Sequence, residues 1–509
     1  MAETLTVADA RRFSTARTAH PTPSAGPASA ARSGTVRDIA VVGAGAAGTL
    51  TAMRLLRNAA EHAGQREPAC RVWLVDPAPT GGGLAFSTTE PHHLLNVPAT
   101  NMSAHVDEPD HFVRWLAAHG HSAGFVPRRV YGRYLAESLE DAARLRGAPE
   151  LLRLHERVVS VGHASDAPDG DGSALVELGF ATGQVLQVHA AVLALGNFAP
   201  DDSWAPPALR DAAGFFPDPW VAGLDAAVGD SGDVLLVGTG LTMVDIAHTL
   251  QRPGRVVHAV SRHGLLPQRH GDTPAAPADA PELEGCTGLG DLRRAVLRHL
   301  SRCRRTHGDW RPGFDSLRPL TTALWQRITP DERARFLRED LRHWETHRHR
   351  IPPSSAAALQ GAIDAGRVAV GRGTVASATV TPDGIRVVLD DGRALTVGAV
   401  VNCTGSRTDL TRVDDPLVSA LLGSGLAQAA APPGGFRTDP TGRLLPAPGT
   451  TPAPLWTLGS LRRGDLLEST AIPEIRQQAE ALARALLARE RADFARRQLD
   501  PAAPGRMGH

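Results

Sequence analysis

Cysteine is scarce in this chain, and lysine is absent from it. The 509 residues include four cysteines, and no two of them are spaced as a C-x-x-C pair. This usage argues against a disulfide framework, a zinc knuckle and a dithiol redox centre, and it fits a reducing cytoplasm best. We therefore expect a cytoplasmic protein with no bound metal.

An excess of charge of one sign and a long apolar run are also missing. Acidic and basic side chains number 54 each, so the formal net charge is zero and does not mark the molecule as a binder of nucleic acid. No apolar run approaches the roughly 18 to 20 residues that cross a bilayer. We expect neither nucleic acid nor a membrane as a partner, and the oligomeric state stays open.

The length predicts two or three domains, since a single core stops growing at roughly 250 to 300 residues. The two ends of the chain differ in composition from its middle. Residues 1–35 are rich in Ala, Ser, Thr, Pro and Arg and lack the apolar stretch of a secretion signal. We expect a disordered tail over 1–35 and a flexible tail over 491–509.

The first cluster of glycines has a defined order. The stretch DIAVVGAGAAGTLTAMRLL leads from a branched apolar strand through Gly43, Gly45 and Gly48 into helical spacing. In such a turn the first glycine permits the bend, the second lets the backbone approach a pyrophosphate, and the third lets helix and strand pack closely. Because a helix N-terminus also attracts phosphate, this order predicts a dinucleotide site.

The segment after the next strand suggests which dinucleotide binds. RVWLVD ends in Asp76, where an acid can accept the ribose hydroxyls. A long, glycine-opened segment with little periodicity follows, and the flat ring of a flavin needs such a surface of backbone and apolar side chains. Adjacent His92 and His93 lack a third spaced ligand and are interpreted as polar contacts. The candidate FAD contacts are Gly83, Leu84, Leu95 and Met102, with Asn96 at the flavin edge.

A second glycine turn lies in DVLLVGTGLTMVDIA. Gly238 and Gly240 again stand between strand and helix, but Met243 replaces the third glycine, which we interpret as a change of packing. The following strand ends in Ser261 and Arg262, with no acid at the ribose position. Since a basic residue suits a 2′-phosphate, we predict NADPH at this turn and FAD at the first.

Two stretches of short alternating strands echo each other. RVVSVGHA with ALVELGFATGQVLQVHAAVLALGN resembles GTVASATV with GIRVVLDDGRALTVGAVVNCTG, and each ends at a glycine, Gly196 or Gly405. Such meanders would carry the chain between two nucleotide domains, and Gly405 is a candidate cofactor contact. Near the C-terminus, a strand, a turn and a long helix supply further candidates: Gly459, Asp465, Thr470 and Ile472.

The stretch 267–353 is the least nucleotide-like part of the chain. Its patterns predict helices, one of which begins with Thr329 as its cap and Pro330 at its first position. Arginine forks recognise carboxylates and phosphates, so its basic cluster could bind a substrate carboxylate or the NADPH phosphates. The candidate substrate contacts are Arg311 and Arg350, with Arg318, His347, Arg348 and His349 around them.

The chain resembles the bacterial two-dinucleotide FAD/NAD(P)-binding proteins related to flavin-dependent N-hydroxylating monooxygenases. The resemblance rests on VVGAGAAG, GGGLAFST…HHLLNVPATNMSA, LLVGTGLTMVD, SRHGLLP, VVNCTG and LGSLRRGDLLESTAIPEIRQQA, and these motifs span most of residues 37–485. It implies an α/β fold with two Rossmann-like dinucleotide-binding domains, for FAD and NADPH, and a small helical insertion. The family includes enzymes that oxidise the amine of an acidic amino acid toward a nitro product.

The motifs divide the chain into interleaved domains. We predict an FAD-binding domain in two parts, 36–230 and 399–490, and an NADPH-binding domain over 231–266 and 354–398. The helical insertion, interpreted as a substrate subdomain, takes 267–353.

Three kinds of function suit these motifs. A single-component monooxygenase would reduce FAD with NADPH, form a peroxide adduct with O2 at the flavin C4a carbon, and oxygenate the nitrogen of an amino acid or amine in a biosynthetic reaction. L-Aspartate is the first substrate that the resemblance suggests. The alternatives are an NAD(P)H-dependent flavin or quinone reductase, and a flavin-binding redox protein with little turnover.

Overall fold

A computed structural model describes residues 36–63, 70–164, 175–230, 232–273 and 275–499, with side chains described up to residue 488. The predicted tail over 1–35 lies outside these residues, as do residues 500–509. The last helix continues to Leu499, past the predicted end of the folded chain at 490. Within the described part, no helix combines the length and apolarity needed to cross a membrane.

Strands and helices alternate around the two glycine turns, whereas the elements between residues 150 and 193, 289 and 364, and 368 and 402 are consecutive runs of one type. The strands are β1 (Arg37–Val42), β2 (Cys70–Val75), β3 (Glu150–Leu154), β4 (Val158–His163), β5 (Val176–Phe180), β6 (Val185–Val188), β7 (Ala190–Leu193), β8 (Phe215–Phe216), β9 (Val234–Val237), β10 (Val257–Ser261), β11 (Val368–Arg372), β12 (Val375–Thr381), β13 (Gly384–Leu389), β14 (Ala394–Val397), β15 (Ala399–Asn402) and β16 (Leu455–Thr457). The α-helices are α1 (Ala46–Glu61), α2 (Gly83–Phe86), α3 (His111–Ala118), α4 (Arg128–Ala143), α5 (Pro207–Arg210), α6 (Leu224–Val228), α7 (Leu241–Leu250), α8 (Leu289–His307), α9 (Arg311–Asp315), α10 (Thr321–Arg327), α11 (Pro330–Glu339), α12 (Leu341–Arg348), α13 (Pro353–Asp364), α14 (Pro416–Gly423), α15 (Arg463–Leu466) and α16 (Ile472–Leu499).

The first sheet has five parallel strands in the order β16-β7-β1-β2-β3. Its central strands are runs of branched or small apolar residues, which suit a sheet covered on both faces. Helices α1, α4 and α16 cover one face, where Leu50, Leu135 and Leu482 are buried. The meander β4-β5-β6 and α14 cover the other face. The carboxyl ends of β1, β2 and β7 therefore share one edge, where such sheets bind ligands.

The second sheet is also parallel, in the order β11-β10-β9-β15-β8. Two of its strands lie outside the predicted bounds of the NADPH domain, since β8 precedes residue 231 and β15 begins at Ala399. β15 pairs with β9 and β8 in this sheet and ends against the second glycine turn, where a Cβ on Gly238 would lie 2.2 Å from the carbonyl oxygen of Cys403. Position along the chain does not reveal such a pairing.

Both nucleotide units contain the meander that the sequence predicts. β4-β5-β6 and β12-β13-β14 are antiparallel, and each leads to the next strand of a parallel sheet, β7 or β15. The internal echo and the α/β fold class are confirmed.

The helices α8 to α12 form the insertion in the second unit. Leu292, Leu317 and Trp325 lie in its small core. Thr329 caps α11 as predicted: its hydroxyl oxygen accepts a hydrogen bond from the Glu332 amide, and the Glu332 carboxylate accepts one from the Thr329 amide.

Candidate cofactor and substrate site

A cavity of about 820 Å³ opens at the carboxyl edge of the first sheet. This volume lies within the range of pockets that hold small molecules and cofactors. Most of the residues proposed from the sequence as FAD or flavin-edge contacts line this one cavity: Gly43, Gly45, Asp76, Gly83, Leu84, Leu95, Asn96, Met102, Gly459, Thr470 and Ile472.

The glycines of the first turn keep the backbone bare at the cavity. Gly43 has φ +102°, and a Cβ on it would lie 2.3 Å from the carbonyl oxygen of Ala194. A Cβ on Gly48 would lie 1.7 Å from the carbonyl oxygen of Gly43, so this glycine allows α1 to pack. Gly45 faces Gly83, and a Cβ on Gly83 would lie 2.9 Å from the Gly45 Cα. The two backbones therefore form a cradle without side chains.

The same turn supplies donors and an acceptor for a nucleotide. Gly45 caps α1 without a side chain, which leaves the first helical N–H groups free to meet an anion. Asp76 lies beside this turn, and its carboxylate accepts hydrogen bonds of 2.6 Å from the Ala44 amide and 2.7 Å from the Ala78 amide. Apolar side chains, among them Leu95, cover the far end of the cavity. This combination fits FAD, and the role of each residue stays a prediction.

Three candidates lie away from the lining of this cavity. Gly48 packs α1 on its turn, as described above. The Asp465 carboxylate accepts hydrogen bonds of 2.8 Å from the amide and the hydroxyl of Thr438, and thus closes a local turn. Gly405 lines a second cavity of about 180 Å³, which is bordered by Thr242 at the start of α7 and by Leu84 on the flavin side.

The second glycine turn repeats the first in its backbone. Gly238 has φ +116°, and Gly240 caps α7 without a side chain. Met243, where the first turn has Gly48, is fully buried in the core of the second unit, so the substitution changes packing. The Ser261 hydroxyl lies 2.8 Å from that of Thr239 and accepts a 3.0 Å bond from the Gly264 amide. Ser261 thus shapes the turn beside Arg262.

Arg128 connects the two units and was missed from the sequence. It lines the first cavity, and its Nη2 donates to the Asp245 carboxylate of α7 across 2.6 Å. Burial raises the pKa of Asp245 to about 6, while Arg128 acts in the opposite direction. No local pattern reveals this pair, because its members lie 117 residues apart.

The two adjacent histidines also lie between the units. The Nε2 atoms of His92 and His93 lie 3.3 and 3.0 Å from the hydroxyl of Thr249 on α7. Burial, assisted by Arg128, lowers the pKa of His93 to about 4. In the part of the chain that the structure describes, no group of three or more His, Cys, Asp or Glu side chains is arranged for a metal ion.

The four arginines of the insertion that the sequence marked as candidates all form ion pairs. Arg318 donates two hydrogen bonds to Glu474 at the start of α16, and Arg348 donates one to Glu468. Both pairs dock the insertion on the segment that carries Thr470 and Ile472. The proposed substrate contacts, Arg311 and Arg350, pair with Asp309 and Asp315 and do not line the large cavity.

Arg350 nevertheless keeps an unmet donor. Its side chain is 5% exposed, and its Nε has no hydrogen-bond partner. His270, another residue that sequence reasoning missed, contacts the cavity wall at Asn96 and is close enough to Arg350 to interact with it electrostatically. Its Nε2 donates a 2.9 Å bond to the carbonyl oxygen of Asn96, and burial is the main cause that lowers its pKa to about 4. Arg350 and Arg311 are close enough to His270 to lower that pKa further.

Comparison with known proteins agrees with this geometry. Residues 40–198 match a family model described as FAD-NAD(P)-binding. This segment is an FAD-NAD(P)-binding domain. It contains the first glycine turn, Asp76, the loop that carries Asn96, and the strand that ends beside Gly196.

Two further comparisons cover more of the chain. One curated relative is similar to it in sequence, and many solved structures are similar to it in fold. The relative, a nitrosuccinate-forming L-aspartate N-monooxygenase from Streptomyces cremeus, is 30% identical over 270 residues. That region covers 45% of this chain and 39% of the relative, so the chain matches about two fifths of the relative's length.

Two solved structures have a similar fold over nearly all of their length. Ornithine hydroxylase from Pseudomonas aeruginosa gives a TM-score of 0.58 at 17% identity, over 89% of this chain and 99% of that protein. L-Lysine 6-monooxygenase from Pseudomonas syringae gives a TM-score of 0.56 at 19% identity, over the same shares. At these identities the similarity establishes the two-dinucleotide fold.

Proposed function

We propose that this protein is a single-component monooxygenase that uses FAD, NADPH and O2 to hydroxylate the nitrogen of a small amino acid or amine, with L-aspartate as its first candidate substrate. One observation carries the proposal: glycine turns stand at the carboxyl ends of two parallel sheets, and the first turn lines a cavity that fits FAD. The reaction class agrees with the names of the curated relative and of the two solved structures.

Different residues would contact different parts of FAD. The cradle of Gly45 and Gly83, with the N-terminus of α1, would hold the diphosphate, and Asp76 would hold the ribose. Met102 and Ile472 would contact the flavin ring. Bound FAD would supply the chemistry, taking electrons from NADPH and activating O2.

The protein's own contribution lies at the flavin edge. Apolar walls that include Leu95 would exclude water and so limit the release of activated oxygen as hydrogen peroxide before it reaches the substrate. His270 is uncharged at neutral pH, so its Nε2–H steadily positions the backbone of Asn96. The unmet Nε of Arg350 suits a substrate carboxylate. A nearby cation also favours the unprotonated amine, whose lone pair receives the oxygen.

The alternative function is a reductase, which could work with a dithiol or on a quinone. None of the four cysteines lines either cavity, so a dithiol mechanism has no support. Quinone reduction needs the same nucleotide sites and no amine pocket, and it remains the competing outcome of the test.

The experiment is NADPH-driven oxygen consumption by the purified flavoprotein across a panel of amino acids and amines, with mass spectrometry of the products. We expect aspartate or a close dicarboxylic relative to raise the rate and to gain oxygen on nitrogen. If no amine changed the rate of oxygen uptake and a quinone accepted the electrons instead, the protein would be a reductase. If lysine or ornithine coupled while aspartate gave hydrogen peroxide, the aspartate claim would fall and the monooxygenase claim would stand.

A further inference from the structure

Beside the second glycine turn lies a group of basic side chains that form no ion pair in the described part of the chain, although Glu345 and Asp390 lie close enough to act on Arg342 and Arg372. We call it the basic cluster; its members are Arg262, His263, Arg342, His343 and Arg372. Within the described residues no ion pair involves any of them, although the other arginines named above in the insertion are each paired. Arg342 is half-buried, and the other four are exposed. A cluster of cations without ion pairs creates a positive potential that attracts an anionic ligand.

Three elements bring the basic cluster together. β10 and β11 are parallel neighbours in the register Ser261↔Arg372, so the turn after β10 lies beside the end of β11. The contact is close, since a Cβ on Gly264 would lie 3.2 Å from the Arg372 amide nitrogen. The third element is α12 of the insertion, which carries Arg342. The pKa of His263 is lowered, by burial and then by Arg262, Arg372, His343 and Arg342, so the charges act on each other.

Arg342 is held directly over the phosphate-facing side of the turn. Its Nη2 donates bonds of 3.0 Å to the Thr239 carbonyl and 2.7 Å to the Leu265 carbonyl. Its Nη1 lies 3.9 Å from the position that a Cβ on Gly240 would take. Because Nη2 is held by these two carbonyls, Nη1 faces Gly240. A diphosphate can approach the turn only if Gly240 carries no side chain.

We propose that the helical insertion is part of the coenzyme site: Arg342 binds the diphosphate of NADPH, and Arg262 and Arg372 together bind its 2′-phosphate. The assignment follows position, because Arg342 lies at the glycine turn and N-terminus of α7, whereas Arg262 and Arg372 follow the strands where the adenosine ribose lies in such folds. Two guanidinium groups match a phosphomonoester that carries nearly two charges. The proposal rests on the proposed use of the second turn for a nicotinamide coenzyme.

The test measures binding without turnover, by calorimetry on the flavin-loaded protein. The probes are 2′,5′-ADP, NADP⁺ and NAD⁺. We expect Arg372→Met to weaken 2′,5′-ADP and NADP⁺ by roughly tenfold or more while NAD⁺ is unchanged, since a charge-assisted hydrogen bond carries about that discrimination. Arg342→Met should weaken NADP⁺ and NAD⁺ to a similar extent, because both contain the diphosphate. Arg338→Met, which removes an exposed arginine of the same insertion, should change none of them.

Several outcomes would overturn the inference. Unchanged coenzyme affinities in Arg342→Met, with only substrate binding affected, would overturn the inference and assign this arginine to the substrate instead. Should that variant fail to fold, Arg342→Lys carries the test, because lysine keeps the charge but not the fork; an NADP⁺ affinity equal to wild type would then contradict the proposal. If the wild type bound NADP⁺ and the variants did too, the inference alone would fail. If the wild type bound neither NADP⁺ nor NAD⁺, the proposed function would fail with it.

Discussion

Nη2 of Arg128 donates to Oδ2 of Asp245 across 2.6 Å, and this ion pair joins the wall of the first cavity to the helix of the second glycine turn. The two side chains are 16% and 11% exposed. Separating a buried pair leaves two charges without water or partner, so the pair resists any change in the relative orientation of the two units. The proposed reaction includes hydride transfer, which requires the nicotinamide and the flavin to meet in one geometry, so the orientation of the two units should matter for it.

Replacement of Asp245 by asparagine tests this coupling. Asp245→Asn should keep FAD but slow flavin reduction at saturating NADPH by about tenfold or more, because a small displacement of the donor has large kinetic consequences. Stopped-flow absorbance of the flavin gives the rate constant. Asp225→Asn, which removes an exposed carboxylate elsewhere in the second unit, is the control. A reduction rate equal to wild type would show that the pair has no part in positioning the coenzyme.

A valine in place of a glycine should have different effects in the two glycine turns. Gly45→Val should give a colourless protein, since a side chain there fills the cradle shared with Gly83. Gly240→Val should stay yellow and no longer be reduced by NADPH. Gly162→Val, at a strand glycine with open space around it, is the matched control. Flavin content and anaerobic bleaching are the measurements, and equal loss of FAD from the first two variants would contradict the assignment of the cofactors.

Of the two candidate substrate contacts, Arg350 gives the clearer prediction. Arg350→Met should raise the KM for aspartate by roughly tenfold or more with flavin content unchanged, because it removes a buried cation with an unmet donor. Arg311→Met should have a smaller effect, since its Nε already donates to the Arg269 carbonyl and its Nη1 to the Asp309 carboxylate. Arg304→Met, on the exposed face of α8, is the control. An unchanged KM in Arg350→Met would remove this residue from the substrate site.

Buried neutral histidines predict loss of stability in acid. Burial lowers the pKa of His270 to about 4, whereas a histidine in an unfolded chain titrates near 6.5. Between these values the unfolded chain binds a proton that the folded protein does not, so the free energy of unfolding falls as pH falls. The full loss is roughly 3 kcal/mol for this histidine, at about 1.4 kcal/mol per pKa unit. His93 acts in the same direction, while the raised pKa of Asp245 opposes it.

Denaturant unfolding from pH 7 to pH 4 measures this slope. His270→Gln keeps a donor for the Asn96 carbonyl and should flatten the dependence, whereas His163→Gln, at an exposed position, should leave it as in wild type. A slope that is identical in wild type and His270→Gln would mean that His270 is not the group responsible.

The prediction from sequence succeeded where the structure depends on short-range order. A branched strand, a glycine turn and a helix must follow one another to build a phosphate site, so Gly43, Gly45 and Asp76 were predicted from that order. The structure brings the three residues to one cavity, and their roles remain predictions. The cap of α11 and the two meanders are likewise local patterns. Local patterns do not show which contacts a side chain makes: Asp465 does not line the first cavity, and its carboxylate accepts a hydrogen bond from the Thr438 amide. Its predicted contact with the cofactor stays a prediction.

The sequence by itself determined the two nucleotide turns, the α/β class and the helical insertion, because each is encoded by periodicity and by glycines that few residues can replace. Only the tertiary structure decided which charges meet. It paired Arg128 with Asp245, neutralised Arg318 with Glu474, and left Arg342 unpaired above Gly240. Such contacts join residues about a hundred or more positions apart, and their energies depend on burial and distance, which no local pattern in the chain records.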